Sequence, residues 1–153
     1  MLQTIPIEKV LFLDIETVPQ VGNWQHLDEP TQNLWDKKTR LQRKDDFTAE
    51  EFYKERGGIM AEFGKIICIS VGIIEKSEKI IIKSFYGDDE KQLLEEFGEI
   101  FNRPKLRDVI LCAHNGKEFD FPWIARRFLI NGMHPPKPFQ LFGKKPWEIQ
   151  HLD

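Results

Sequence analysis

Only two cysteines occur in the 153 residues. That is too few for a disulfide framework or a thiolate metal centre, and a reducing, cytoplasmic setting is the simple expectation. Cys68 and Cys112 both lie in apolar runs, where a free thiol packs as a small hydrophobe. No apolar run is long enough to cross a bilayer, and no charged-then-apolar leader opens the chain, so no membrane association is expected. Internal repeats and low-complexity tracts are missing as well, which excludes a repeat array. Positive charge is not in excess: 22 Lys and Arg face 25 Asp and Glu, for a net charge of −3. A module that coats long duplexes usually carries a basic domain, and this chain does not.

What is present suits one globular domain over residues 1–153. Hydrophobic residues make up 41% and charged residues 31%, so a core can form and disorder is not expected. Gln3 to Lys9 leads into a first strand. Residues 19–63 form a long polar segment that reads as a helical insertion, expected to fold over the sheet edge or the site. Asp28, Glu29 and Pro30 suit a helix start, with Leu34, Trp35 and Leu41 as its apolar stripe. Thr48-Ala49-Glu50-Glu51 matches a capping box for a second helix, ended by Gly57-Gly58. The β-branched runs Ile66 to Ile74 and Ile80 to Phe85, joined by Glu75 to Lys79, predict a hairpin. Asp88 then precedes a helix with Leu93, Leu94, Phe97, Ile100 and Phe101 on one face. A strand over 109–113 and a helix over 118–131 follow. After Pro135-Pro136-Lys137-Pro138, an irregular connection carries Phe139, Leu141, Phe142 and Trp147 as packing candidates.

Chemistry is concentrated in Val10-Leu11-Phe12-Leu13-Asp14-Ile15-Glu16-Thr17. Successive strand side chains point to opposite faces, so Asp14 and Glu16 project to the same side. The unbroken apolar run before them fits a central strand buried on both faces. Paired carboxylates at such a strand end are costly unless they bind cations or meet water, and magnesium uses oxygen sites of this kind.

A second motif is Leu111-Cys112-Ala113-His114-Asn115-Gly116-Lys117-Glu118-Phe119-Asp120. It reads as a buried strand, a turn at Asn115-Gly116, then a helix. Asp120 falls early in that helix. If this strand lies parallel to the first and beside it, Asp120 arrives at the same sheet end as Asp14 and Glu16, where open α/β sheets place their sites. Taken singly, Asp120 also suits the helix dipole and Asn115 suits the turn.

Asp-x-Glu-Thr after a hydrophobic strand, followed by Asn-x-x-x-Phe-Asp, resembles the first two motifs of the DEDD-type 3′–5′ exonucleases. The resemblance is closest to the proofreading-like enzymes related to family B DNA polymerases, and it extends over most of the chain. It implies an α/β, ribonuclease H-like mixed sheet flanked by helices, with a helical insertion after the first strand. It also implies removal of nucleotides from the 3′ end of single-stranded nucleic acid, DNA being favoured, with two divalent metal ions (magnesium or manganese). By this resemblance Asp14 is a ligand of both metals, Glu16 of one, and Asp120 supports the other. Asn115 and Phe119 match substrate-positioning residues, and Thr17 and Val18 stand where the terminal nucleotide is held. An enzyme that grips a few terminal nucleotides through metals needs no basic surface.

The family's third motif, a Tyr or His four or five residues before a final Asp, does not occur. His151-Leu152-Asp153 has the wrong spacing and resembles the start of the family's last core strand, so His151 and Asp153 are expected to be structural or frayed. The last strand and helix are thus expected to be incomplete, and the chain weakly active or inactive alone. Lys37, Lys38, Arg40, Arg43 and Lys44 read as a solvated helix face beside Asp45, Asp46 and Glu50, with phosphate contact as the less favoured reading. His114 and Lys117 flank the second motif, within reach of phosphate or as strand-end residues. Trp24, Trp35 and Trp123 are expected to pack.

Two other readings compete. A non-catalytic ribonuclease H-like module would bind nucleic acid without cutting it. Leu11-Phe12-Leu13-Asp14 also resembles the nucleophile strand of haloacid-dehalogenase-like phosphatases, with Asp14 as nucleophile. Those enzymes place β-α units directly after that strand, whereas two strands in succession are expected here.

Overall fold

The computed structural model describes residues 5–43 and 46–153. Gln3, Lys44 and Asp45, which the sequence assigns to the lead-in and the charged helix face, lie outside them. The chain divides into two compact units, Met1–Glu16 with Ile66–Asp153 and, separately, Thr17–Lys65.

The expected α/β architecture is present. Its sheet holds β1 (Val10–Pro19), β2 (Gly64–Ile74), β3 (Ile80–Tyr86) and β4 (Ile110–Cys112) in the order β3-β2-β1-β4. β2 and β3 form the expected antiparallel hairpin, in register from Ile74 opposite Ile80 to Cys68 opposite Tyr86. Its turn closes with Glu78 N–H donating to the Glu75 carbonyl at 2.8 Å. β4 lies parallel to β1, with Val10 beside Ile110 and Phe12 beside Cys112. The sheet is therefore mixed. Beyond β4, Leu152 pairs in parallel with Cys112, and its N–H donates to the Leu111 carbonyl at 2.8 Å.

Side-chain parity sets which face is covered. Leu11, Leu13 and Ile15 of β1 are buried, with Ile69, Phe85 and Leu111. The covering helices are α3 (Glu90–Glu99) and α4 (Asp120–Ile130). Asp88 precedes α3 as read, and Asp89 caps the helix by accepting the Gln92 N–H at 3.1 Å. Phe97 is the centre of this packing, 5.7 Å between ring centroids from Phe85 and from Phe139, and 5.3 Å from Phe101. Each such ring buries a large apolar area, and edge-on pairs add to it. Phe139 fulfils its packing role, whereas Phe142 and Trp147 are exposed. In α4 the inward residues are Phe121, Trp123, Ile124 and Phe128, while Leu129 is exposed. On the other sheet face Ile82 is 71% exposed, and Gly72 lies beside it next to Phe12.

The second unit is built on α1 (Glu29–Arg43) and α2 (Ala49–Arg56). The capping box at Thr48 forms as read: its hydroxyl accepts the Glu51 N–H at 3.2 Å, and Glu51 accepts the Thr48 N–H at 2.8 Å. Trp35 is fully buried, edge-on to Tyr53 at 5.1 Å and Phe63 at 5.0 Å. Its indole N–H donates to the Ala49 carbonyl at 2.9 Å. The expected Leu34–Trp35–Leu41 stripe is not what packs, since Leu41 is 90% exposed. The buried face runs Trp35, Thr39, Arg43 at helical spacing instead. Arg43 is therefore no phosphate-facing cation: it bonds Thr39 Oγ1, the Phe47 carbonyl and Asp36. Lys38 pairs with Glu62 at 2.7 Å, as a solvated face would. Trp24 packs against Tyr53, as expected.

Candidate active site

β1 ends its buried stretch in a strict alternation: Leu13 and Ile15 inward, Asp14 and Glu16 exposed. The two carboxylates therefore share one face of β1, as parity required; the strand runs on to Pro19, so they lie midway along it and past the end of β4, and not at the strand end that the sequence suggested. β4 delivers the chain to the same stretch, because it runs parallel to β1 and stops level with Phe12. From there the chain turns at Asn115, which takes a left-handed φ of 54°. Asparagine tolerates that conformation better than most residues. The Asn115 carbonyl accepts the Phe119 N–H at 2.9 Å and the Glu118 N–H at 3.3 Å, which closes the turn. Gly116 fits where nothing larger would: a Cβ there would stand 2.6 Å from the Ala113 Cβ and 2.7 Å from the Phe121 ring.

Phe119 precedes α4 and stacks loosely on Trp123, at 6.3 Å. Asp120 is the first residue of the helix and is 4% exposed. Its carboxyl pKa is pushed up to about 6. Burial is the main cause, opposed by a hydrogen bond from its own N–H. The charges of Asp14 and Asp153 push in the same direction as burial, while the Ile15 N–H donates to the carboxylate and pulls the other way. Asp120 thus touches the backbone of β1 between Asp14 and Glu16, on the stretch of β1 that runs past the end of β4.

Asp153 was expected to be structural or frayed, and the structure gives it a defined place. Its Oδ1 accepts the Gly116 N–H at 2.9 Å. His151 does prove structural: its Nδ1 accepts the Leu111 N–H at 3.1 Å, and its Nε2 lies 2.7 Å from the Pro138 carbonyl. That pattern fixes the neutral tautomer with the proton on Nε2, and burial accordingly pushes the ring's pKa down. No local signal in the sequence marks Asp153, because its partner is 37 residues away. Cys112, at the end of β4, is half-buried, and burial raises its thiol pKa with a further push from Asp153. Thr17 and Val18 open the other unit. There the Thr17 hydroxyl donates to the Gly58 carbonyl at 2.7 Å. His114 and Lys117 are both exposed. A groove of about 780 Å³ beside Lys9, Ile74, Leu106 and Val109 opens at the opposite ends of β1 and β4.

The donor set is all carboxylate oxygen, the kind that hard divalent ions take. Mutual repulsion raises the energy of the charged cluster, and a cation would relieve it. The chemistry fits such an ion. Among the described residues, no three His, Cys, Asp or Glu side chains stand in ready metal-holding geometry, so the carboxylates are gathered but not closed around a point.

A mixed sheet with two acids midway along its central strand, and a third opening the helix after the parallel strand β4, defines the class, and the sequence agrees with it. A family model described as RNase_H superfamily matches residues 52–153. The chain belongs to the RNase H superfamily. The haloacid-dehalogenase-like alternative is set aside by that membership and by the β2–β3 hairpin following β1. Among solved structures, E. coli Exonuclease I in complex with a dT13 oligonucleotide is similar at 12% identity and a TM-score of 0.50. That match covers 94% of this chain and 26% of that one. The family B DNA polymerase from the hyperthermophilic archaeon Pyrobaculum calidifontis matches at 14% identity with a TM-score of 0.44, over 81% of this chain and 11% of that one. This chain spans well under two thirds of either protein. No curated protein matches it.

Proposed function

We propose that this domain is a metal-dependent 3′–5′ exonuclease, hydrolysing phosphodiester bonds at the 3′ end of single-stranded nucleic acid, with DNA as the expected substrate. The observation that carries this reading is that the Ile15 N–H, between Asp14 and Glu16 on β1, donates to the Asp120 carboxylate, while Asp14 and Glu16 share the exposed face of that strand. Superfamily membership supports a nuclease-related role. Exonuclease I, which shares the fold, was solved with a single-stranded oligonucleotide, the ligand class proposed here.

Asp14, Glu16 and Asp120 would hold two divalent ions, magnesium or manganese. Such a pair supplies a nucleophilic water at neutral pH and stabilises the departing oxygen. The chain's residues do the rest. Asp14 and Glu16 present carboxylates from a rigid central strand, which keeps the anionic cluster fixed. Asp120, whose carboxyl pKa is pushed up to about 6, would be held in its ionised form by a cation beside it. Phe119 offers apolar surface for a base beside the scissile bond, and Asn115 offers an amide on the same turn. Thr17 and Val18, directly after Glu16, are proposed to hold the terminal nucleotide.

The test uses stoichiometric protein with a 5′-labelled single-stranded oligonucleotide, with manganese, with magnesium and with chelator. Stepwise shortening from the 3′ end that needs metal and is lost in Asp14→Ala supports the proposal. Cleavage that survives chelator or Asp14→Ala overturns it. Metal-dependent binding without any cleavage favours the non-catalytic binding module instead.

A further inference from the structure

Phe142 and Trp147 stand in water, at 59% and 76% exposure, although large aromatic rings are what the core is built from. The other three tryptophans pack: Trp35 and Trp123 are buried, and Trp24 lies against Tyr53. The exposure belongs to a closed loop and not to a frayed one. The Lys144 N–H donates to the Leu141 carbonyl at 3.1 Å, around Gly143, whose φ of 72° is left-handed. The Glu148 N–H donates to the Lys145 carbonyl at 2.9 Å, and Glu148 Oε2 accepts the Lys145 N–H at 2.7 Å. Trp147 is thus held inside a turn whose one acid is folded back onto the backbone. Lys145 Nζ lies 5.1 Å from the Trp147 ring centroid, a cation–π contact. Lys144 is exposed, and it lines a cleft of about 340 Å³ with Arg107 beside the start of β4. The acids of that cleft are already engaged, Asp108 by Lys137 and Glu148 by the Lys145 N–H.

Aromatic faces beside exposed ammonium groups are the parts of a single-strand grip, in which bases stack on rings and phosphates meet cations. A protein-docking patch is a poorer match, because lysine is depleted from such interfaces. We propose that the loop over residues 141–148 is a second contact for single-stranded nucleic acid, with a base stacked on Trp147, Phe142 as a further platform, and Lys144 and Lys145 on the phosphates. The proposal deepens the reading above and rests on its choice of ligand. Its distance from the acids suits one strand touching both. Leu152, five residues after Trp147, pairs with Cys112, which pairs with Phe12, two residues before Asp14. Chain and strand spacings along that route allow no more than about 35 Å between Trp147 and Asp14. A strand of about ten nucleotides spans that length at 3.4 Å each.

The experiment separates stacking from charge, and both from cleavage. Oligothymidylate long enough to span that distance is titrated into the full chain with chelator present, so that no metal chemistry intervenes. Affinity is read by anisotropy of a labelled strand and, separately, by tryptophan emission. Wild-type emission is expected to be quenched, and Trp147→Phe, which keeps a stacking face, to bind within a few-fold while losing the quench. Trp147→Ala should melt like wild type and bind about tenfold more weakly, as loss of one base–aromatic stack predicts. An abasic strand of equal length, which offers phosphates alone, should bind wild type and Trp147→Ala equally. Lys144→Gln should weaken binding and lower the salt dependence by about one counterion. Wild-type oligothymidylate affinity in Trp147→Ala, or no quench in wild type, overturns the proposal. So does a blue shift on concentrating the protein alone with no response to oligothymidylate, which marks a protein contact instead. The nuclease reading is judged apart from this, in manganese. Cleavage lost in Asp14→Ala, with Trp147→Ala binding like wild type, overturns only the role of the loop. Trp147-dependent binding without metal-dependent cleavage upholds the loop and overturns the nuclease reading.

Discussion

Arg127 of α4 grips Glu90 of α3 through two hydrogen bonds, Nε to Oε1 at 2.8 Å and Nη2 to Oε2 at 2.5 Å. Both side chains are buried, at 3% and 7% exposure. Glu90 also accepts the Ile66 N–H at 2.7 Å and the Asn131 amide at 2.9 Å. The carboxylate thus joins the start of α3, the start of the core part of β2 and the end of α4. Because α4 begins at Asp120, this pair helps fix the helix that presents the site.

Removing one partner strands the other's charge in the core. Glu90→Ala should therefore destabilise the protein by about 3–5 kcal/mol, far more than an exposed ion pair would. Replacing both with apolar residues of similar volume should recover much of that loss. Urea unfolding of the single and double variants checks both outcomes. A loss below about 1 kcal/mol in Glu90→Ala would show that the pair contributes no more than a surface bridge.

Asp120 gives stability a pH dependence of defined sign. Its folded pKa is raised from 3.8 to about 6, so the folded state binds the proton more tightly than the unfolded state. The stabilising contribution is complete below about pH 3.8 and is lost as pH rises through about 6. At roughly 1.4 kcal/mol per unit, the ceiling is about 3 kcal/mol. Asp120→Asn should flatten this part of the pH profile and be as stable as wild type or more so at pH 8, while losing any metal-dependent cleavage that wild type shows in the oligonucleotide assay. Adding manganese at pH 8 should stabilise wild type, because a cation favours the ionised carboxylate. A wild-type profile that rises between pH 4 and 7 by the same amount in both proteins would contradict the assignment.

Much of this site was legible because it depends on local periodicity. The parity of Asp14 and Glu16 follows from the alternation Leu13–Ile15 inward. The hairpin follows from β-branched runs around Glu75 to Lys79. The meeting with Asp120 needed only that β4 lie parallel to β1. What escaped depends on contacts between distant residues. Arg43 carries the charge of a surface residue, yet Thr39, Asp36 and the Phe47 carbonyl satisfy it, and so it lies on the buried side of α1 where Leu34 and Leu41 were expected. Glu90 and Arg127 are 37 residues apart, as are Gly116 and Asp153. Neither pairing leaves a mark in its own neighbourhood. Phe139 and Trp147 have similar local surroundings, and only the aromatic cluster around Phe97 selects the first.

Asn115 carries both a conformational and a chemical demand, and these can be separated by substitution. Its φ of 54° is a left-handed position that a β-branched residue enters at a cost of about 1–2 kcal/mol, while glycine enters it freely. Asn115→Gly should therefore keep the melting temperature within a degree or two of wild type, because the turn bonds from Phe119 and Glu118 use the backbone carbonyl, which remains. Asn115→Val should lower stability by about 1–2 kcal/mol and disturb the approach to Asp120. If the amide also positions the nucleic acid, Asn115→Gly loses oligonucleotide affinity or cleavage while its stability and manganese affinity hold. Calorimetry, manganese titration and the oligonucleotide assay on the same two variants give all three readouts. Unchanged oligonucleotide binding and cleavage in Asn115→Gly would confine Asn115 to the turn, and leave Phe119 as the residue beside Asp120 through which substrate contact is to be sought.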